Sequence, residues 1–441
     1  EHSGGKPVAV TEIGLDTKTA NTVFAGPTTG AANEPTFRSI VAADVGTGVP
    51  SGAKFLRDDM SWQTPAGAGD VVGPAGATDG HLALFDGATG KLIKDGGAYA
   101  AGTILHNTCQ GRLSLTTGTP VTTADVAAAT AVYFCPYQGD IIGLYNGSTA
   151  WDLISFTEKH IDITEAQTGT THNGTMVIDG LTDTSQLIVG MAVTGTGVGA
   201  SAVIASIDSG TQITTDVNSS ADGTVTITFK VPASKVLDIF GFNNSGTLKL
   251  EMVAWTNATT RATALTTQNG IYVKNGATTR RYLGTVRTTA TAGQTEDSLT
   301  KRFVWNMYNR EIRQLYQTEA TASWTYTTAA WRQARATATN QIEVVAGLSL
   351  SGIDVRYTTR VTIEANEFAF IGIGRNVTNN AHSTLGIAIP VGHNLDVTLT
   401  SYLSEMIPLG YTYYAAVEYV GSATQSFFGA SYYSLTAQVL G

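Results

Sequence analysis

Residues 342–355 read IEVVAGLSLSGIDV, the first of a series of runs near the C-terminus in which apolar and polar residues alternate. The later runs are YTTRVTIEA (357–365), FAFIGIG (368–374), GIAIPVG (386–392), LDVTLTSYL (395–403), YTYYAAVEYV (411–420) and YYSLTAQVLG (432–441). Alternation with period two is typical of β-strands that bury one face. We therefore expect residues 318–441 to form a β-sandwich or jelly roll.

The same pattern begins earlier, at Arg112. Its apolar runs are RLSLTTG (112–118), TAVYFCPY (130–137), DIIGLYNG (140–147), WDLISF (151–156) and, after an interruption, KVLDIFGFNNSGTLKLEMVAWTN (235–257). This spacing predicts a β-meander, and we expect residues 112–161 and 231–317 to be two halves of one β domain. Asn146-Gly147, between two apolar runs, predicts a tight hairpin turn because both residue types tolerate positive φ.

Residues 162–230 interrupt this domain and are richer still in threonine and glycine. In ADGTVTITF (221–229), every second residue is apolar, which places those side chains on one face of a strand. We expect a small inserted β module that protrudes from a loop. Leu187–Ile207 is uncharged and long enough to cross a bilayer, but its glycines and its alternation favour strands joined by turns.

A helix competes with a strand in the stretch Leu299–Tyr316. Leu299, Phe303 and Met307 are helically spaced, whereas Phe303, Trp305 and Met307 alternate. The strand propensity of the aromatic residues favours β structure. The expected fold class is therefore all-β throughout the chain.

Residues 1–111 are poor in aromatic residues and rich in glycine, alanine and threonine, with short apolar patches such as Phe37, Ile40 and Val41. Such a segment buries too little apolar surface to offset its own chain entropy. We expect an extended N-terminal anchor and spacer. It would become ordered by packing against other copies of the chain or against a larger particle, which predicts an oligomer.

The charge balance limits the classes of partner. The chain has 26 Lys and Arg against 35 Asp and Glu, a net charge of -9, and a pI near 5.3. Nucleic acid is a poor partner for such a chain, because non-specific affinity for phosphates comes from lysine and arginine. Cys109 and Cys135 are too few for a disulfide scaffold and are expected to be buried apolar residues.

Motifs of catalysis are missing from the sequence. GxSxG, HExxH and GxxxxGK[ST] do not occur, and GTGVG (195–199) is not followed by the helix pattern that a dinucleotide site needs. Glycoside hydrolysis needs two carboxyl groups, but Glu364 with Glu367, and Asp162 with Glu165, are better explained as charges at strand edges. We expect no enzyme, no metal and no cofactor.

Aromatic residues near the C-terminus are candidates for carbohydrate binding. A tyrosine ring stacks on the C–H face of a sugar while its hydroxyl group hydrogen-bonds at a wet surface. The candidates are Tyr411, Tyr413, Tyr414, Tyr432 and Tyr433. The alternative is core packing of alternating strands, and alternation places Tyr413 and Tyr414 on opposite faces.

Residues 280–335 are locally basic within this acidic chain. Guanidinium groups bind carboxylates in pairs of hydrogen bonds, so such a patch suits an anionic polysaccharide or an acidic particle surface. The candidates are Arg280, Arg281, Arg302, Arg310 and Arg313. The alternative is a solvated sheet face without a partner.

Four phrases resemble the modular fibre, spike and head-appendage proteins of tailed bacteriophages. Two lie in the N-terminal segment: VFAGPTTGAANEPTFRSIVAADV (23–45) and GPAGATDGHLALFDGATGKLIKDGG (73–97). A third covers residues 112–156 and continues as WTNATTRATALTTQNGIYVKNGATTRRYLGTVRTT (255–289), and a fourth covers residues 187–229. Together they extend over more than half of the chain.

The resemblance implies a β-rich homotrimer in the virion, assembled in the host cytoplasm. Residues 1–111 would bind other virion proteins, and the distal domains would mediate attachment to the host cell by binding a bacterial surface glycan. An alternative is a head fibre that decorates or stabilises the capsid, and a less favoured one is a polysaccharide depolymerase. Neither nucleic-acid binding nor membrane insertion is expected.

Overall fold

The computed structural model describes residues 17–41, 44–45, 55–59, 61–63, 81–85, 93–98 and 107–441. The chain divides into two units, Glu1–Tyr99 and Ala100–Gly441. Strands form the regular structure of the described residues, with 3-10 turns at Ala334–Ala336 and Ala430–Tyr432 and no α-helix among them. The expected all-β class is confirmed.

The described residues of the first unit contain three antiparallel two-stranded pairs. They are β1 (Thr22–Ala25) with β2 (Thr36–Ser39), β3 (Phe55–Leu56) with β4 (Trp62–Gln63), and β5 (His81–Phe85) with β6 (Ile93–Ala98). Isolated two-stranded ribbons are marginally stable in water because they have no second layer to bury an apolar face. Part of the expected anchor lies outside the described residues.

The second unit begins with short strands that surround one core. They are β7 (Gly111–Ser114), β8 (Val126–Ala129), β9 (Ala131–Pro136), β10 (Ile141–Tyr145), β11 (Trp151–Ser155) and β12 (Lys159–Asp162). Strands β12, β9 and β7 form one sheet, and β10 pairs with β11 in a hairpin. Cys109 and Cys135 are buried, as expected.

The β10–β11 hairpin has a longer loop than the sequence predicts. Tyr145 pairs with Trp151, so the loop covers residues 146–150. The Asn146 side-chain oxygen accepts hydrogen bonds from the backbone N–H groups of Ser148, Thr149 and Ala150 at 2.9, 3.2 and 3.3 Å. Of the Asn-Gly pair, Gly147 adopts positive φ, at 88°. The side-chain hydrogen bonds of Asn146, not a two-residue turn, shape this loop.

Residues 164–230 form a six-stranded sheet of their own. Its strands are β13 (Thr164–Thr171), β14 (Val177–Asp179), β15 (Ala192–Thr194), β16 (Ile204–Ser209), β17 (Gln212–Thr215) and β18 (Gly223–Lys230), in the order β15-β18-β13-β14-β17-β16. The uncharged stretch Leu187–Ile207 contains β15 and the start of β16. Among the described residues, no helix is both long and apolar enough to cross a membrane.

The core of this module continues into its neighbours. Ile227 and Phe229 of β18 belong to one buried cluster with Phe134 of β9 and Leu144 of β10. The cluster also contains Leu237 from the next sheet. The module is therefore joined to the rest of the unit by apolar packing as well as by the chain.

The next sheet has the order β20-β19-β23-β22-β21, with β26 paired to β23. Its strands are β19 (Val236–Asn244), β20 (Thr247–Ala254), β21 (Leu265–Gln268), β22 (Ile271–Lys274), β23 (Ala277–Arg287) and β26 (Val304–Asn306). Strands β19 and β20 form a long hairpin whose outer strand, β20, is an edge of the sheet.

Two large sheets complete the unit. The eight-stranded sheet contains β8, β24 (Thr295–Asp297), β25 (Lys301–Arg302), β29 (Arg332–Gln333), β30 (Gln341–Ala346), β32 (Ala369–Arg375), β33 (Gly386–Ala388) and β35 (Gly410–Val420). The six-stranded sheet contains β27 (Ile312–Gln317), β28 (Ser323–Tyr326), β31 (Gly352–Ile363), β34 (Leu395–Met406), β36 (Gln425–Phe428) and β37 (Ser434–Leu440).

These two sheets share one apolar core, which makes them a β-sandwich. Ile342 and Ile371 of the first sheet and Val355 and Leu435 of the second are buried in the same cluster. Strands on both sides of residue 318 belong to each sheet, since β27 pairs with β37 and β25 pairs with β30. The stretch Leu299–Tyr316, for which the sequence leaves a helix as the alternative to strands, contains strands β25, β26 and most of β27.

Candidate functional site

Tyr411 and Tyr413 lie side by side on β35. Both are half-buried, and their ring centroids are 6.3 Å apart. The Tyr411 hydroxyl donates to Glu343 Oε2 at 2.7 Å, and the Arg287 guanidinium lies 3.8 Å from the centre of the Tyr411 ring. Burial and the Glu343 carboxylate raise the pKa of Tyr411 above its usual range. The hydroxyl and the ring of Tyr411 are therefore already in contact with polar side chains of the protein itself.

Tyr414 and Tyr433 are in the interior, where the structure corrects the expectation of surface residues. Tyr414 lies on the opposite face of β35 from Tyr413, is fully buried, and donates its hydroxyl to Glu405 Oε1 at 3.0 Å. Tyr433 packs against Tyr357 with 5.3 Å between ring centroids. Both rings pack in the core between the two sheets of the sandwich, so neither has a face at the surface.

Tyr432 is the most exposed tyrosine of the expected set, at 46%. It follows β36 in a 3-10 turn, next to the six-stranded sheet, whereas Tyr411 and Tyr413 belong to the eight-stranded sheet. The Arg360 guanidinium lies 4.5 Å from the Tyr432 ring centre and 4.3 Å from that of Phe428. The five tyrosines therefore do not form one site.

Arg281 is completely buried, which corrects the expectation of an exposed basic patch. Its guanidinium donates to the backbone carbonyls of Asn107, Thr108 and Gly143 at 2.9, 2.8 and 2.7 Å. It also donates to the Tyr308 hydroxyl at 3.2 Å. These contacts tie β23 to the strands around β10, so the charge of Arg281 has a structural role.

Arg302 and Arg313 are also buried, and both bind the same carboxylate. Arg302 Nη1 and Arg313 Nη2 each lie 2.9 Å from an oxygen of Asp297. Arg302 further donates to the carbonyl of Gln314, and Arg313 to that of Thr122. Burying a charge is costly unless it is paired and hydrogen-bonded, and this arrangement satisfies both conditions.

Arg280 and Arg310 are half-buried. Arg280 Nε lies 2.8 Å from Glu251 Oε2, and its guanidinium lies 3.8 Å from the centre of the Phe242 ring. Arg310 donates to the Ser351 hydroxyl at 2.7 Å. Arg302 and Arg313 thus meet at Asp297, while the other three arginines make contacts of their own, and the structure does not bring the five together as one surface patch.

The carboxyl pairs noted in the sequence have structural contacts. Glu367 accepts hydrogen bonds from the backbone N–H and hydroxyl of Ser422 at 3.1 and 2.9 Å. Burial raises the pKa of Glu165 to about 7, with the nearby carboxylates of Asp162 and Asp183 acting in the same direction. No group of His, Cys, Asp and Glu suited to a metal ion occurs among the described residues.

A cleft that the sequence does not reveal opens between the module and the β19–β20 hairpin. Its volume is about 560 Å³, within the usual range for small-molecule sites. Lys159 and Gln186 line one side, and Phe242, Asn244 and Lys249 line the other. These residues are far apart in the chain, so local sequence patterns carry no signal of their proximity.

Comparisons with known proteins give no family. No protein-family model matches the chain, and no curated protein matches it. Among solved structures, T=1 particles derived from infectious bursal virus are 14% identical, with a TM-score of 0.20 over 63% of this chain and 70% of that chain. The Cry8Ea1 delta-endotoxin of Bacillus thuringiensis is 9% identical, with a TM-score of 0.16 over 75% of this chain and 51% of that chain.

The VP2 subviral particle of infectious bursal disease virus is 11% identical, with a TM-score of 0.13 over 63% of this chain and 79% of that chain. TM-scores this low do not establish a shared fold. What the geometry defines is a class: an all-β protein with a sandwich, a packed β module and thin N-terminal strand pairs.

Proposed function

We propose that this chain is a structural protein of a virus particle, a trimeric fibre or spike of a tailed bacteriophage that attaches to the host surface by binding polysaccharide. The sequence phrases in residues 23–45, 73–97, 112–156 and 187–229 support the phage assignment through their resemblance to fibre and head-appendage proteins. The all-β architecture is compatible with that assignment.

The observation that carries the proposal is an exposed aromatic pair on the first hairpin. Phe24 and Phe37 face each other across β1 and β2, with ring centroids 5.1 Å apart. In the single chain they are 57% and 37% exposed, and the neighbouring Ile40 is 51% exposed. Burying a phenylalanine side chain contributes about 1.5–3 kcal/mol, so packing this hairpin against identical hairpins or a particle is favourable.

The hairpin is also well suited to hold its shape when it packs. Arg38 on β2 makes two hydrogen bonds of 2.7 Å to the carboxylate of Asp44. The Arg38 guanidinium holds the pKa of Asp44 at about 2, below its usual range. This pair links β2 to the residues that follow it, which reduces the entropy that this segment loses on association.

Binding rather than hydrolysis is part of the proposal. Of the carboxyl pairs that the sequence offers, Glu367 is hydrogen-bonded to Ser422 and Glu165 is half-buried in the module. We expect the purified chain to release no new reducing ends from host polysaccharide. The appearance of reducing ends would favour a depolymerase.

Sedimentation equilibrium of the full-length chain, combined with immunogold labelling of isolated particles, tests the proposal. We expect a mass of three times 46.1 kDa and gold particles on projections of the virion. Labelling on the tail or on the head would distinguish a tail fibre from a head fibre. A monomer at all concentrations, with particles free of label, would refute a virion appendage.

A further inference from the structure

The hairpin wall of the cleft carries a row of side chains on one sheet face. Phe242 of β19 pairs directly with Lys249 of β20, so their side chains are neighbours on the same side of the sheet. Arg280, held by Glu251, lies against the Phe242 ring at 3.8 Å from its centre. Phe242 is half-buried and lines the cleft, so the ring face that Arg280 leaves uncovered is the one that a ligand could meet.

The other wall adds a second cation and an amide. Lys159 lies on β12, an edge strand, and its ammonium group donates to the Thr157 hydroxyl at 3.4 Å, its one side-chain hydrogen bond within the described part of the chain. Gln186 donates weakly to the carbonyl of His160 at 3.5 Å and accepts from the N–H of Asp162 at 2.9 Å. The two lysines therefore approach the cleft from β12 and from β20.

Two carboxylates also line the cleft, and both accept hydrogen bonds from neutral donors close by. Glu158 accepts hydrogen bonds from the Thr117 hydroxyl and the Gly118 N–H, both at 2.6 Å, and from the thiol of Cys135 at 3.1 Å. Asp183 accepts from the N–H and hydroxyl of Ser185 at 2.8 and 2.9 Å.

No carboxylate within ion-pair distance of the Lys159 or Lys249 ammonium group occurs among the described residues, in a chain whose net charge is -9. Ammonium groups that have no carboxylate partner attract an anion. Of the five arginines that the sequence singles out, Arg280 supports the cleft wall through Phe242, whereas Arg281, Arg302 and Arg313 use their charges internally.

We propose that this cleft binds an acidic sugar segment, a pyranose that carries a carboxylate. The open face of Phe242 would stack on the C–H face of the ring, Lys159 and Lys249 would pair with the carboxylate, and Asn244 and Gln186 would meet the hydroxyl groups. The inference rests on the proposed attachment to polysaccharide and names the class of glycan. An acyclic anion would satisfy the lysines but leave the ring face without a partner.

Isothermal titration calorimetry of the full-length chain with trigalacturonate, maltotriose and glycerol 3-phosphate tests the site. We expect trigalacturonate to bind at least tenfold more tightly than either of the other probes. Lys159→Gln with Lys249→Gln should weaken trigalacturonate at least tenfold, and Phe242→Leu should weaken it as well. The matched control is Lys230→Gln with Lys235→Gln, which removes the same charge outside the cleft and should leave the affinity unchanged.

Three outcomes would overturn the assignment: no binding of trigalacturonate, equal binding of glycerol 3-phosphate, or equal weakening by the control pair. Near-UV circular dichroism of each variant establishes that the fold is retained. The test is independent of the particle experiment. If the chain is trimeric and virions carry the label but trigalacturonate does not bind, only the cleft assignment is refuted. If the particles carry no label, the attachment role is refuted whatever the cleft binds.

Discussion

The environment of Glu165 differs from that of a surface carboxylate. Its Oε1 accepts a hydrogen bond from Gln167 Nε2 at 3.0 Å, while Oε2 is buried with no hydrogen-bond partner among the described residues. Burial, followed by repulsion from Asp162 and Asp183, raises its pKa from 4.5 to about 7. The folded state therefore holds a proton that the unfolded chain has already released at neutral pH.

This proton makes stability depend on pH. The contribution of Glu165 is fully present below pH 4.5 and is lost as the pH rises through about 7. We expect Glu165→Gln to raise the free energy of unfolding at pH 8 by about 1–2 kcal/mol and to change it little at pH 4. Urea denaturation at the two pH values measures this.

Glu364→Gln is the matched control, because Glu364 is exposed in the turn after β31. It should change the urea midpoint equally at both pH values. A Glu165→Gln variant with the same gain at pH 4 as at pH 8 would contradict a buried, protonated carboxyl group.

At the scale of elements, the module of β13–β18 is a separate sheet whose apolar core is continuous with that of the neighbouring strands. Its two ends meet, since the Val231 N–H donates to the carbonyl of Ile163 at 3.0 Å and Thr164 pairs with Lys230. Its apolar side chains nevertheless belong to the same buried cluster as those of β9, β10 and β19. The module is thus closed at its base by hydrogen bonds and attached to the body by apolar contact.

Replacing residues 164–230 with a short Gly-Ser linker should leave a folded body of reduced stability. The ends to be joined are already neighbours, so the linker imposes no strain. Loss of the shared apolar contacts should lower the melting temperature by several degrees or more. Differential scanning calorimetry measures the change, and an unaltered melting temperature would mean that the module contributes nothing to the body.

At the scale of the whole molecule, the two units differ in what they can bury. Residues 107–441 enclose large apolar clusters between packed sheets. The described strands before residue 99 form pairs of two, and Phe24, Phe37 and Leu84 among them remain exposed. In the proposed trimer, packing against further copies would remove this apolar surface from water.

Phe24→Ser with Phe37→Ser should therefore weaken assembly without unfolding the second unit. At about 1.5–3 kcal/mol for each phenylalanine, the dissociation constant should rise by at least about tenfold. Sedimentation velocity over a dilution series measures this. Val189→Ser is the control, because Val189 is an exposed apolar residue of the module, and equal weakening by this variant would remove the hairpin from the interface.

Strand content was accessible from the sequence because a strand's signature is local. In Gly352–Ile363, alternate residues from Ile353 onward are buried, and the alternation in the printed sequence already marks those positions. The same alternation places Tyr413 and Tyr414 on opposite faces of their strand. It does not say which of the two faces meets a second sheet, so the sequence could not decide which tyrosine is in the core.

The arginines and the cleft depend on contacts between distant parts of the chain. Arg313 donates to the carbonyl of Thr122, 191 residues away, and Arg281 to that of Asn107, 174 residues away. Lys159 and Lys249 approach one cleft because β12 and β20 lie close together without pairing. Alternation of apolar residues, which acts between near neighbours, makes this chain a β protein. Whether a charge is buried or left for a ligand depends on which strands pack together, and only the folded chain settles that.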